Sequence, residues 1–177
     1  TISQAGLVGG GSIPQPGEIS LSHNGILFLD ELTEFKRTTL EVLRQPLENK
    51  TVAIARAQQS VTFPASCLLV AALNPCPCGY LGDPKKDCTC SPMSVDRYLQ
   101  KLSGPLLDRI DLQINVQSVE YETIKDKSAS LSSADLYEPV KIAVAVQQDR
   151  FKDNTVHNAT MAPEMIEKHC QLSDEAE

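Results

Sequence analysis

The sequence predicts an α/β core followed by a helical appendage. Ile26–Leu29 is an unbroken apolar run that stops at Asp30-Glu31, and Cys67–Leu73 is a second such run that stops at Asn74-Pro75. Short apolar runs without alternation suit strands buried on both faces, as in a parallel sheet. Beyond residue 133, apolar residues recur at helical spacing, which completes the pattern. The length of 177 residues accommodates one ordinary domain, or one domain with a small appendage.

Taken in order, Gly6–Gly17 is rich in Gly and Pro and reads as loop. Gly9-Gly10-Gly11 is not a phosphate cradle. No strand precedes it, no Lys-Ser/Thr follows, and Pro14 and Pro16 interrupt the helix such loops require. His23-Asn24-Gly25 supplies a turn before the first strand. After Phe35, Leu40, Leu43 and Leu47 recur at helical spacing, and Pro46 is expected to distort or end the last turn. Residues 50–63 read as a β-hairpin with its tip near Arg56 to Gln59. A loop rich in Cys, Pro and Gly runs from Asn74 to Pro92. Ser94 is the expected cap of a helix through Leu102, with Val95, Tyr98 and Leu102 on one face. Ile110–Val116 alternates and reads as a strand. Residues 125–133 are a polar linker, and 138–152 and 163–171 read as amphipathic helices, with Pro139 and Pro163 near their first turns.

Composition limits the function. Hydrophobic content of 41% is that of a globular protein, and aromatics at 5% with no Trp make base stacking an unpromising strategy. No apolar run approaches the length of a bilayer span, and no basic-then-apolar leader is present, so a soluble, cytoplasmic protein with no membrane partner is expected. The net charge of −7 is uneven: residues 36–109 carry ten basic against six acidic residues, while both flanks are acidic. That basic middle fits a phosphate-facing surface and equally fits ordinary solvated charge.

The acidic strand end carries the chemistry. At the carboxyl end of a buried strand, where open α/β sheets place ligands, Asp30 can orient a magnesium ion through its water shell. Glu31 can polarise the water that attacks a γ-phosphate. A strand ending in two acids at a solvated turn is the plainer reading. Asn74 ends the next strand with an amide able to hold water or a phosphate oxygen. Arg109, in SGPLLDRID, follows a tight turn and short helix, a mounting suited to a charge projected into a neighbour's phosphate site; a local ion pair is its plainer reading.

The segments PGEISLSHNGILFLDEL, LRQPLENKTVAIARA with its trailing FPA, AALNPCPCGY and SGPLLDRIDL together resemble the magnesium-chelatase-like AAA+ ATPases, most closely the ComM/YifB branch. The resemblance covers residues 1–118, with weaker motifs in the tail. It implies a partial AAA+ P-loop NTPase core (1–124) with a β-hairpin insert and a Cys-rich loop at 74–92, followed by the start of an α-helical lid (134–177). It makes Asp30 and Glu31 the Walker-B pair, Asn74 sensor 1 and Arg109 an arginine finger acting on an adjacent subunit. It also implies Mg-ATP as substrate, a homo-oligomeric ring (a hexamer), DNA as partner, and branch migration in natural transformation. Lys50 and Arg56, at the hairpin's base and tip, are then phosphate contacts, or else plain exposed charge. No G-x-x-x-x-G-K-[ST] occurs in the chain, and the family carries it upstream of where this chain begins. The expectation is a fragment that alone binds ATP weakly and does not hydrolyse it. Two other readings compete: an ATPase subunit of a metal-inserting chelatase, and a zinc-stabilised interaction module without activity of its own.

Six cysteines in a chain with no secretory leader point away from a disulfide framework. Cys76-Pro77-Cys78 and Cys88-Thr89-Cys90 form two C-x-C pairs, and four thiolates suit a closed tetrahedral zinc site. A structural zinc and free or redox-active thiols are the two readings. Cys67 and Cys170 read as packed thiols.

Overall fold

The computed structural model describes residues 2–56, 60–116, 119, 125 and 131–173, in two compact units, Thr1–Ser118 and Val119–Glu177. The first is mixed α/β with small sheets. Helix α1 (Gln4–Val8) leads into β1 (Gly9–Gly10), which pairs antiparallel with β2 (Gln15–Pro16); α2 (Glu18–Leu21) and β3 (Ile26–Leu29) follow. A 3₁₀ turn (Leu32–Glu34), α3 (Arg37–Glu41) and α4 (Arg44–Asn49) lead to β4 (Thr51–Ala55), β5 (Ser60–Pro64) and β6 (Leu68–Ala71). Helices α5 (Pro92–Leu99) and α6 (Gly104–Leu107) are the last elements described in this unit. In the second unit, α7 (Ser133–Phe151), a 3₁₀ turn (Asn158–Thr160) and α8 (Pro163–His169) are described.

The expected loop at 6–17 is partly ordered. Ser3 Oγ accepts the Gly6 N–H at 3.1 Å and caps α1, whose Leu7 is fully buried. Cap and apolar anchor offset the low helix propensity of Gly6. Gly9, at φ 98, turns the chain into the small ladder, where a Cβ would lie 2.3 Å from the Gln15 carbonyl oxygen.

Strands β3 and β6 pair in parallel, Ile26 opposite Leu68 through Leu29 opposite Ala71. The expectation that both strands are buried on both faces is corrected. Leu27 and Leu29 are each 6% exposed, whereas Ile26 is 63% and Phe28 58% exposed. The core, with Leu32, Leu40, Leu43 and Leu106, lies on one side of this pair, and no described element covers the other. Ile110–Val116 is likewise not a strand. A strand requires a ladder partner, none exists among the described residues, and Leu112, Ile114 and Val116 are each at least 81% exposed.

The helix after Phe35 is divided, with the break at Val42-Leu43 rather than in the last turn. Pro46 has no N–H for the carbonyl four residues back, and its ring crowds that carbonyl, so the interruption falls upstream of the proline. The chain then reverses through Lys50, in the left-handed conformation, into the β4–β5 pair. Val52 and Ile54 face the core while Ala53 and Ala55 face outward. Residues 57–59, the rest of the expected tip, lie outside the described residues.

Helix α5 is capped by Ser91, not Ser94. Ser91 Oγ accepts the Ser94 N–H at 3.3 Å, and Pro92 opens the helix at a position where its missing N–H costs nothing. The helix ends at Leu99, short of Leu102. Helix α7 begins at Ser133, so Pro139 sits inside it rather than near its first turn. Its start is set by a capping box, Ser132 with Asp135. It is not amphipathic within this chain. The apolar residues Val140, Ile142, Val144 and Val146 alternate and therefore spread around the helix, and none of its residues is buried. The expected linker at 125–133 lies mostly outside the described residues.

Candidate functional site

Because β3 and β6 run parallel, their carboxyl ends lie together, and each ends on one of the expected site segments. Across this end Ala72 N–H donates to Leu29 O and Leu32 N–H to Ala72 O, both at 2.9 Å. Those two bonds hold the Asp30-Glu31 turn against the segment that carries Asn74 three residues beyond β6. Asp30 Oδ1 accepts the Glu31 N–H at 2.8 Å, which restrains the carboxylate and leaves Oδ2 out of that bond. Glu31 stands at φ 51, ψ 48, a left-handed conformation that costs an L-residue about 1–2 kcal/mol. Among the described residues, the other non-glycine positions with positive φ are Asn24 in its turn and Lys50 and Lys152 at helix ends, where that geometry is usual. Asp30, Glu31 and Asn74 are all exposed, as groups that meet a ligand must be.

Sequence reasoning missed Glu18. A shallow cavity of about 270 Å³ is lined by Glu18, Asp30, Phe28 and Phe35 among others, so a second carboxylate shares Asp30's wall. Its position in PGEISLSHNG, within a segment already singled out, was the available signal.

Arg109 is not brought to the acidic strand end. It pairs with Glu48, in the last turn of α4, at 2.9 Å, and its side chain is 41% exposed. An exposed pair of this kind is weak, so the guanidinium is readily released. Neither flanking aspartate is the partner. Lys50 is exposed at the base of β4. Arg56 donates from Nε to Gly11 O and from a terminal nitrogen to Ala55 O, each at 3.1 Å. It thereby ties the hairpin to the glycine loop, with part of its five-donor fork still available.

The thiols of Cys76, Cys78, Cys88 and Cys90 converge, every Sγ within 4.8 Å of the others. Cys76 Sγ lies 3.4 Å from Cys78 Sγ and 3.6 Å from Cys88 Sγ, and all six cysteines are free. The N–H groups of Tyr80 and Thr89 bring the Cys78 thiol down to about 5. At Cys88 the Cys90 N–H favours the thiolate, but burial and the neighbouring thiols prevail and push it up to about 12. Four thiolates this close repel one another unless a cation sits among them, and the cluster can hold a metal. Cys67, half-buried beside β6, is pushed up by burial; Cys170 is exposed rather than packed.

No described helix is long and apolar enough to cross a membrane. The family described as magnesium chelatase, subunit ChlI, matches residues 1–124. Over 174 residues the chain is 44% identical to competence protein ComM of Haemophilus influenzae, spanning 97% of this chain and 33% of that protein. Over 175 residues it is 42% identical to YifB of Escherichia coli, spanning 98% and 33% respectively. A more distant likeness, 31% over 96 residues, covers 54% of this chain and 12% of DNA replication licensing factor mcm7 of Xenopus tropicalis. The chain thus spans about a third of the length of the relatives it matches most fully. The parallel strand end with its paired acids and these likenesses agree: the chain belongs to the magnesium-chelatase-like family, in its ComM/YifB branch.

Proposed function

We propose that this chain supplies the water-activating half of an AAA+ ATPase site, working within a ring of like subunits on DNA. The observation that carries this is the pinned parallel strand end: Asp30-Glu31 and Asn74 emerge on neighbouring strands, joined by the Leu32–Ala72 and Ala72–Leu29 bonds. In this reading Asp30 orients the magnesium of Mg-ATP through its water shell. Glu31 accepts the proton of the attacking water, and Asn74 holds that water or a γ-phosphate oxygen. Arg109 leaves Glu48 to meet the phosphate bound by an adjacent subunit. Lys50 and the uncommitted donors of Arg56 face the DNA backbone from the hairpin. Branch migration during natural transformation is the process this motor serves.

DNA is favoured by two kinds of relative, a competence protein and a DNA replication licensing factor. A second reading, an ATPase subunit of a metal-inserting chelatase, is favoured by the description of the matching family.

The test is Glu31→Gln in the full-length product of the gene. Expected is ATP turnover reduced by about 10²-fold or more, with ATP still bound. Turnover close to that of the parent refutes the assignment. Salt-sensitive binding of single- or double-stranded DNA by the same protein, read by fluorescence anisotropy, separates the motor from the chelatase reading. The isolated 177-residue chain, which contains no G-x-x-x-x-G-K-[ST], is expected to show no magnesium-dependent phosphate release.

A further inference from the structure

The geometry points to a structural zinc ion held by Cys76, Cys78, Cys88 and Cys90 that braces the acidic strand end. Zinc–sulfur bonds of about 2.3 Å in a tetrahedron place the sulfurs about 3.8 Å apart. The pairs Cys76–Cys78, Cys76–Cys88 and Cys78–Cys88 lie at 3.4, 3.6 and 3.6 Å, so a modest expansion admits the ion. A disulfide would require an approach to about 2.05 Å, which no pair makes. Gly79 and Gly82, at φ 83 and φ 80, let the loop between the two C-x-C pairs double back. Four protein sulfurs fill a tetrahedron, which excludes a catalytic role for the ion.

The placement of the ligands gives the site its purpose. Cys76 follows Asn74 by two residues and is fully buried, while Cys90 directly precedes Ser91, the cap of α5. The ion therefore joins the outer end of β6 to the start of α5. Just beyond the other end of α5, Lys101 Nζ donates to the Thr33 carbonyl at 2.6 Å, within the 3₁₀ turn that Glu31 caps. From Glu31 through Thr33, Lys101, α5, the metal and Asn74, back across the Leu32–Ala72 bond, the connections form a closed circuit. Removing the ion opens that circuit beside Asn74. The metal site stands on the thiols alone; its bearing on nucleotide rests on the function proposed above.

The experiment uses the 177-residue chain purified without added zinc, analysed for metal and for thiols, then by amide hydrogen exchange before and after chelation. Expected is one zinc per chain, with only Cys67 and Cys170 of the six cysteines reacting until the ion is removed. On removal, protection should fall about tenfold or more over 69–74 and 92–101 and stay constant in the 51–64 hairpin. Cys88→Ser should reproduce the loss, and Cys88→His, which keeps four ligands, should retain ion and protection. Folded, metal-free chain with six reactive thiols overturns the site. Exchange changes confined to 76–90, or spread evenly through the hairpin, overturn the brace. Absence of ATPase activity in the full-length protein overturns the nucleotide reading and leaves these results unaltered.

Discussion

Replacing Glu31 by glycine should stabilise the chain. Glu31 holds φ 51, ψ 48, which costs about 1–2 kcal/mol for a residue with a Cβ. Glycine removes that cost, but its freer unfolded chain returns about 0.5–1 kcal/mol. The backbone bond from residue 31 N–H to Asp30 Oδ1 survives the change, and among the described residues no hydrogen bond or ion pair joins the Glu31 side chain to another group. The net expectation is a gain of about 0.5–1 kcal/mol. With a urea m-value of about 2 kcal/mol/M, the midpoint rises by about 0.25–0.5 M. Far-UV circular dichroism of wild type, Glu31→Gly and Lys50→Gly measures this. Lys50 has the comparable φ of 56 at an exposed helix end and serves as control, with a gain of the same size. A gain at Lys50 combined with a loss at Glu31 refutes the reasoning, because the Glu31 side chain would then be holding the turn. Strain kept only for the carboxylate's sake is the mark of a working position.

Gly17→Ala should destabilise by about 1–3 kcal/mol, seen as a lower thermal midpoint. Its Cβ would lie 2.3 Å from Gly9 N and 2.5 Å from Leu7 O, backbone atoms with little room to yield, and an unchanged midpoint counts against that packing. Glu48→Gln should change stability by less than about 1 kcal/mol, since the Arg109–Glu48 pair is exposed on both sides. A larger loss in urea unfolding shows that the pair is structural rather than a releasable hold. The Ser132 hydroxyl and N–H draw the Asp135 carboxyl below its ordinary 3.8. The unfolded chain therefore takes up that proton first. The capping box stabilises fully above pH 3.8 and weakens as pH falls through the folded value. In an acid titration followed by circular dichroism, Asp135→Asn should flatten this part of the pH dependence, and an unaltered slope refutes the assignment.

The parts of the fold legible in the sequence were those written in local pattern. The run Ile26–Leu29, the hairpin residues around Val52 and Ile54, and the short helix after Ser103 all carry their own periodicity and turn residues. What stayed hidden depended on partners. Whether Ile26 and Phe28 are covered is a property of neighbouring elements, and Ile110–Val116 alternates correctly for a strand yet has no ladder to join. Ser91 and Ser94 both qualify as caps by type, and the proline between them decides. Of the candidate site, the cysteine convergence follows from spacing and two glycines. The partners Glu48 for Arg109 and Gly11 for Arg56 are distant in sequence and could not be read from it.

The β4–β5 hairpin lies entirely between β3 and β6, and that nesting has a kinetic consequence. A hairpin closes in about 1–10 μs from local contacts, well before a parallel pair can form across a long loop. Once Thr51 has met Pro64, much of the chain between Leu29 and Leu68 is already drawn in, and the entropy of bringing those strands together is correspondingly smaller. The strand end that carries Asp30 should therefore form late and on a template. Slowing hairpin closure, for instance with a glycine at Ile54, would delay assembly of the acidic site even though Ile54 lies outside it.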